Sequence, residues 1–174
     1  IDLSLGKKDR SIVFNASVFY RAEEDAFAYE ITDFETYAGK FKNVGENTVK
    51  GFDLGFTYKL NEMLNFGGNF SFVEKDKRET MLRQPKQRVN SFLEILPFKT
   101  TRVNFSHQFV SKRSDAFYNS ETFMVENVAL KGYNLFNLNI NQKINSKIET
   151  YLNIGNLFNT SYVDVVGFTT KPRN

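Results

Sequence analysis

The chain has 174 residues, enough for one domain or part of one, and no Cys, so it can build neither a disulfide framework nor a thiolate metal site. Its 23 basic and 20 acidic residues are interspersed and leave a net charge of +3, which argues against a nucleic-acid-binding tail. No segment approaches the roughly 18 consecutive apolar residues of a membrane helix, yet 19 Phe and 8 Tyr demand a large apolar surface somewhere.

Residues 1–5 read as the end of a strand, followed by a turn at Lys7-Lys8-Asp9. Over 11–21 the residues alternate: Ile12, Phe14, Ala16, Val18 and Tyr20 share a face, opposite Val13, Asn15, Ser17, Phe19 and Arg21. A polar link over 23–36 carries Glu23-Glu24-Asp25, which reads as a solvated acidic cluster. The clearest pattern follows. Phe52, Leu54, Phe56, Tyr58 and Leu60 oppose Gly51, Asp53, Gly55, Thr57 and Lys59. After a turn at Asn61-Glu62-Met63, Leu64, Phe66, Phe70 and Phe72 oppose Asn65, Gly67, Asn69 and Ser71. A polar link spans 75–87. The next strand, 88–96, is irregular, because Phe92 and Leu96 share a face with Asn90 and Glu94. A turn at Pro97-Phe98-Lys99 leads to 101–110, where Val103, Phe105 and Phe109 oppose Arg102, Asn104, Ser106 and Gln108. A third polar link covers 112–131. Phe136, Leu138 and Ile140 then oppose Asn137, Asn139 and Asn141; past Asn145-Ser146, Ile148, Leu152 and Ile154 oppose Glu149, Asn153 and Gly155. A last link covers 166–174.

Short turns at one end and long links at the other describe an antiparallel up-and-down meander. Its strand-like runs exceed the 9–11 or so residues needed to cross a bilayer, and small membrane barrels and large ones share this asymmetry of loops. The apolar face suits lipid, and the Asn-, Ser-, Gly- and Thr-rich face suits a hydrated interior. The expected fold is therefore all-β, an up-and-down transmembrane β-barrel of the bacterial outer membrane. Seven full strands and part of an eighth are counted. The chain opens inside a strand and stops after a loop, so it reads as an incomplete portion of a larger barrel. Residues 1–10 lack the pattern of a signal peptide, which for an exported protein places the signal outside this chain.

Three stretches carry a resemblance. FKNVGENTVKGFDLGFTYKL (41–60) has an Asn43-Val44-Gly45 element, a short gap, then Gly51 with Asp53 two residues on. LRQPKQRVNSFLEI (82–95) leads an Arg-containing loop, with Arg83, Pro85 and Arg88, into a strand. YLNIGNLFNTSYVDVVGFTTKPRN (151–174) carries Asn156-Leu157-Phe158-Asn159 and Tyr162. Together they resemble the late barrel of TonB-dependent outer-membrane receptors. The spacing of Gly167, Phe168, Thr170 and Arg173 is similar to the cobalamin (vitamin B12) receptors of that family. Departures are Asp53 where the family usually has Glu, and the absence of the final strand, the plug and the box that contacts the energy-coupling protein. The resemblance implies a 22-stranded plugged barrel, of which residues 1–174 are the C-terminal segment. It implies active uptake of a scarce chelate, cobalamin ahead of an iron siderophore or haem, driven by TonB through the plug that is missing here.

Ligand contact is then expected from the long links and upper lumen, where aromatic faces and Arg grip flat chelates: Tyr29, Tyr37, Arg83, Arg113, Phe117, Tyr118 and Phe123. No catalytic residue, metal site or cofactor is expected. The partners implied are the chelate, TonB and outer-membrane lipid, with a capping surface lipoprotein left open and no nucleic acid. A small self-contained barrel with a structural or adhesive role is the alternative; a plug upstream of Ile1 decides for the receptor, a signal peptide directly before it for the small barrel. An outer-membrane lipase is a third class, and His107, expected on the lipid-facing side, is the only His available to it. Four Asn-x-Ser/Thr matches, at Asn15, Asn69, Asn104 and Asn159, are read as coincidences of an Asn-rich chain, three of them inside strands.

Overall fold

The computed structural model describes residues 1–8, 11–33, 36, 38–76 and 82–174. The described residues form ten strands and no helix: β1 (Asp2–Lys8), β2 (Ile12–Ile31), β3 (Gly39–Lys59), β4 (Leu64–Lys75), β5 (Gln87–Phe98), β6 (Thr101–Val110), β7 (Arg113–Asn119), β8 (Met124–Leu130), β9 (Tyr133–Lys143) and β10 (Glu149–Ile154). Eight of them make one antiparallel sheet in the order β1-β2-β3-β4-β5-β6-β9-β10, and β7-β8 make a separate hairpin. Every neighbour in the large sheet is a sequence neighbour except β6 and β9, between which the hairpin is inserted.

Two expectations are corrected. The link expected over 112–131 folds as the β7–β8 hairpin, paired from Arg113↔Leu130 to Asn119↔Met124. The link expected over 23–36 is largely strand: β2 runs on to Ile31 against β3, with register shifts around Glu23 and Ala26. Both segments mix polar and apolar residues on each face, so they lack the clean hydrophobic alternation that marks a strand in sequence, and backbone pairing holds them as strands nonetheless. Lys7 and Lys8, expected in a turn, still pair with Phe14 and Val13.

The short turns are built as their residues suggest. Asn61 Oδ1 accepts from Met63 N at 2.8 Å, and Asn145 Oδ1 accepts from Lys147 N at 2.8 Å and Ile148 N at 3.0 Å. These Asx turns satisfy backbone donors that a tight reversal leaves open.

The two faces differ as the alternation predicts. One carries a ladder of aromatic contacts: Phe52–Phe72 at 5.5 Å, Phe52–Phe70 at 5.6 Å, Tyr58–Phe66 at 5.5 Å and Phe105–Phe136 at 5.6 Å. No second layer covers it: Val18 is 58% exposed and Phe56 48%, while among the described residues only Val110, Leu130 and Tyr133 are buried hydrophobics. In water each such side chain would forfeit roughly 2 kcal/mol of burial, so this surface belongs against hydrocarbon. On β4 it runs from Leu64 to Phe72, which at about 3.3 Å per residue and a tilt near 40° is a band of about 20 Å.

The other face is polar, and two of its aromatic residues, Phe19 and Phe92, have a structural reason. Phe19 lies directly across from Gly51 and Phe92 directly across from Gly67. A Cβ on Gly51 would stand 2.5 Å from the Phe19 ring, and one on Gly67 would stand 3.0 Å from the Phe92 ring. Each ring lies over bare backbone that only glycine leaves clear, the cross-strand arrangement by which an aromatic protects a glycine in a sheet. This explains the irregular 88–96 segment: Phe92 faces the polar side with Asn90 and Glu94 because Gly67 makes room for it.

Candidate ligand-facing site

The polar face is ordered in rows by the strand register. Ser17, Asp53, Ser71, Arg88, Val110 and Tyr133 stand opposite one another from β2 to β9, close to the end of the sheet that carries the long connections. Above this row is a recess of about 320 Å³ lined by Phe19, Asp53, Ser71, Val73, Arg83, Gln84, Pro85 and Arg88. It joins two guanidinium groups, an aromatic face and polar side chains. Beside it, Lys86, Lys112 and Gln84 line a second recess of about 230 Å³.

Arg83 is placed by its loop rather than by a strand. Its φ is 64°, in the left-handed region that non-glycine residues seldom adopt. Its backbone N donates to Ser114 O at 2.7 Å, and Nε donates to Asp115 Oδ1 at 2.7 Å, leaving the side chain 53% exposed. Asp115 is fully buried and also accepts from Ala116 N and Val166 N, each at 2.8 Å. Burial alone pushes its pKa up, but the Val166 N–H, the Arg83 guanidinium and the Ala116 N–H outweigh it and hold the carboxyl below its ordinary value.

A second pairing lies alongside. The Arg113 side chain is 1% exposed; Nη2 donates to Asp164 Oδ1 at 2.7 Å, Asp164 O at 2.9 Å and Val163 O at 3.0 Å. Its guanidinium sits over the Tyr133 ring at 5.3 Å, and Tyr133 OH donates to Asp164 Oδ1 at 3.0 Å. Arg113 and Asp115, two residues apart on β7, thus clamp the segment after β10 onto the hairpin, and Asp115 also draws in the loop that carries Arg83.

The Asn156-Leu157-Phe158-Asn159 element starts that segment. Asn156 (φ 47°) and Asn159 (φ 54°) are both left-handed, a conformation Asn tolerates. Asn156 is buried; its Oδ1 accepts from Thr160 N at 2.8 Å, its Nδ2 donates to Thr160 O at 2.9 Å, and Asn159 Oδ1 accepts from Arg173 N at 3.0 Å. The motif is a chain-reversing device that delivers residues 163–166 to the clamp.

The expected ligand residues separate into groups. Arg83 lines the recess. Arg113 is beside it, but its charge is spent on Asp164. Phe117, Tyr118 and Phe123 stand on the hairpin, Phe123 at its tip with φ 55° and 72% exposed. Tyr29 pairs through its backbone with Phe41 in the upper part of β2, and Tyr37 lies outside the described residues. Sequence reasoning missed Asp115, Asp164 and Phe19. The spacing of Arg113 and Asp115, which puts both on one face of a strand, was a usable signal, hidden because 112–131 read as a loop.

His107 lies on the apolar face as expected. Its ring stacks on Phe136 at 4.5 Å, Nε2 donates to Asn134 Oδ1 at 2.9 Å, and Nδ1 accepts from Ser91 Oγ at 3.3 Å. The order of groups is that of a nucleophile, a base and an orienting amide. Ser91 and His107 are in central strands paired on both sides, however, so the ladder takes the neighbouring backbone N–H groups that would have to stabilise an oxyanion. The three side chains satisfy one another in the wall.

The family described as TonB dependent receptor-like, beta-barrel matches residues 3–157. The chain belongs to the TonB-dependent receptor β-barrel family. No curated protein matches the chain. Among solved structures, the pyoverdine outer membrane receptor FpvA of Pseudomonas aeruginosa superposes with a TM-score of 0.76 at 16% identity, covering 99% of this chain and 28% of FpvA. The FrpB iron transporter of Neisseria meningitidis gives 0.72 at 18%, covering 99% and 29%. The siderophore receptor PirA of Acinetobacter baumannii gives 0.74 at 14%, covering 99% and 30%. The chain thus spans less than a third of each. The family is one of transport receptors, not enzymes, and its barrels sit in the bacterial outer membrane, as this one does.

With that identity the faces acquire names: the Phe ladder meets lipid and the Asn-rich face meets the lumen. Leu54→Arg, on the lipid side of β3, is expected to destabilise the barrel by about 2 kcal/mol. Thr57→Arg, three residues on and facing the lumen, should cost less than about 0.5 kcal/mol. Heat-modifiable gel mobility of the two variants checks this, and equal losses would refute the assignment of faces.

Proposed function

We propose that residues 1–174 are the C-terminal segment of a 22-stranded, plugged receptor barrel that captures an anionic metal chelate and passes it inward by TonB-coupled transport. An iron–siderophore complex is the favoured cargo. The observation that carries this reading is the recess that sets Arg83 and Arg88 beside the face of Phe19 at the long-loop end of the lumen. Guanidinium groups bind oxyanions in a fixed fork and also stack on flat ligands; of the two lysines of the neighbouring recess, Lys112 adds to the local positive field, while Lys86 is paired with Glu74 at 2.7 Å. The neighbours named above, two of them siderophore receptors and one an iron transporter, support the same cargo class. Cobalamin, favoured by the spacing of Gly167, Phe168, Thr170 and Arg173, is the second reading; Phe168 is 74% exposed there and free to stack on a macrocycle. Tyr118 and Phe123, on the hairpin, extend the capture surface outward, and a surface lipoprotein would cap the same end.

Binding of an anionic ferric catecholate, a ferric pyoverdine-type chelate and cobalamin to the intact receptor on cells tests the reading. Arg83→Ala combined with Arg88→Ala is expected to weaken the anionic chelate by roughly 10- to 100-fold and to flatten its salt dependence. Binding of cobalamin alone, unaffected by the double substitution, would transfer the assignment to the second reading.

A further inference from the structure

The short-turn end of the wall repeats one pairing of residue types. Leu60, Phe98, Ile144 and Ile148 close three of the short turns, and each has a lysine as its chain neighbour: Lys59, Lys99, Lys143 and Lys147. Register puts the apolar member of each couplet on the outward side. Leu60 is two residues past Tyr58 in the row of the Phe ladder, Phe98 pairs with Thr101 and Thr101 with Gln142, and Ile144, two residues past Gln142, donates its N–H to Ile148 O. All four are exposed, Phe98 at 70%. The four lysines are exposed as well, and among the described residues none of them is in an ion pair. The other charges of this rim are Lys7 and Lys8 at the end of β1, Glu62 and Glu149, which leaves the described rim net basic; Asp9 and Arg10, of opposite charge, lie outside the described residues.

Lys59 and Lys143 belong by register to the lumen side, which a plug would face. Lys99 and Lys147 sit in the turns themselves, beyond the wall. Short turns of such barrels lie on the periplasmic side. An apolar side chain at the edge of the hydrocarbon with an ammonium group next to it matches a headgroup layer: the first stays among acyl chains and the second reaches the phosphates. The outward apolar residues of this rim continue the lipid-facing Phe ladder, so the same bilayer is their neighbour. We propose that the rim selects negatively charged phospholipid in the periplasmic leaflet, with Lys99 and Lys147 on the phosphates and Phe98 and Ile148 beneath them. Zwitterionic lipid also offers a phosphate, but its own amine compensates that charge. Anionic lipid leaves the charge uncompensated, and the surplus lysines of the rim favour it. Near a negative surface each lysine strengthens association about fivefold.

Lipid selection at this rim needs only the outer-membrane barrel and is independent of the cargo. Native mass spectrometry of the intact receptor in mild detergent, titrated with phosphatidylglycerol and phosphatidylethanolamine of equal chain length, measures it. The wild-type receptor should retain phosphatidylglycerol about tenfold more tightly, and raising the salt concentration should narrow the difference. Lys99→Gln combined with Lys147→Gln should bring the two lipids within about twofold. Lys99→Ala combined with Lys147→Ala replaces that pair if it loses heat-modifiable mobility. Phe98→Ser should weaken both lipids alike, because it removes apolar contact and no charge. Lys131→Gln, at an exposed lysine of the long-loop end, should leave the preference unchanged. Equal retention of the two lipids by the wild-type receptor would overturn the proposal and leave the rim to an acidic periplasmic macromolecule. An unaltered preference in the double variant, or an equal loss of preference in Lys131→Gln, would overturn it as well.

Discussion

Replacing Asp115 with Ala is expected to free the segment after β10 while leaving the eight-stranded sheet intact. The carboxylate is fully buried and accepts three hydrogen bonds, from Arg83, Ala116 and Val166. Hydrogen bonds to a charged group contribute about 1.5–3 kcal/mol each and are not additive, and Arg83 is half exposed, so a net loss of about 3 kcal/mol is the reasonable magnitude. That corresponds to roughly hundredfold faster hydrogen exchange at the Val166 amide, together with easier tryptic cleavage after Arg173, which is exposed. Heat-modifiable mobility should be unchanged, because β7 lies outside the large sheet. The pH dependence has a fixed sign. The carboxyl is held below its ordinary value of 3.8, so its contribution is complete above that pH and is lost only as pH falls through the lower, folded value. Exchange at Val166 that rises between pH 7 and 5 would contradict the role given to Asp115.

Gly51→Val should be the most damaging substitution in the large sheet. Gly51 is buried in a central strand, where a Cβ would collide with the Phe72 carbonyl oxygen and stand 2.5 Å from the Phe19 ring. One obstacle is backbone and cannot move without breaking the β3–β4 ladder. Overpacking of this kind costs about 3 kcal/mol or more, and a β-branched side chain is at the upper end. The expected result is little receptor in the outer membrane and early loss of heat-modifiable mobility. Gly6→Ala is the control: its Cβ would meet only the Phe14 carbonyl oxygen at an ordinary 3.5 Å, and it should behave as wild type. Equal behaviour of the two variants would show that Phe19 does not need Gly51 beneath it.

Much of the architecture was legible because a bilayer-facing sheet writes itself into sequence with period two. Phe52 to Leu60 and Leu64 to Phe72 announced β3 and β4, and the Asn residues at 61 and 145 announced their turns. The upper half of β2 and the β7–β8 hairpin were not legible, since polar and apolar residues mix on each of their faces and leave no clean stripe to read. The candidate site was half legible. Arg83 and Arg88 stood out in the stretch around Pro85, but Arg113 looked like a ligand cation and is instead neutralised by Asp164, a partner 51 residues away that no local pattern connects to it.

The alternation of side chains along each strand determined that this chain is a membrane-facing sheet with a wet side, because every second residue must share an environment whatever the strands' order. The Asn-Leu-Phe-Asn element and its companions fixed the family. Only the tertiary structure decided which row each polar residue joins, that Phe19 and Phe92 roof glycines, and that two Arg–Asp pairs lock three distant segments together. Register and loop closure depend on contacts between residues far apart in the chain, and a local period contains no information about those.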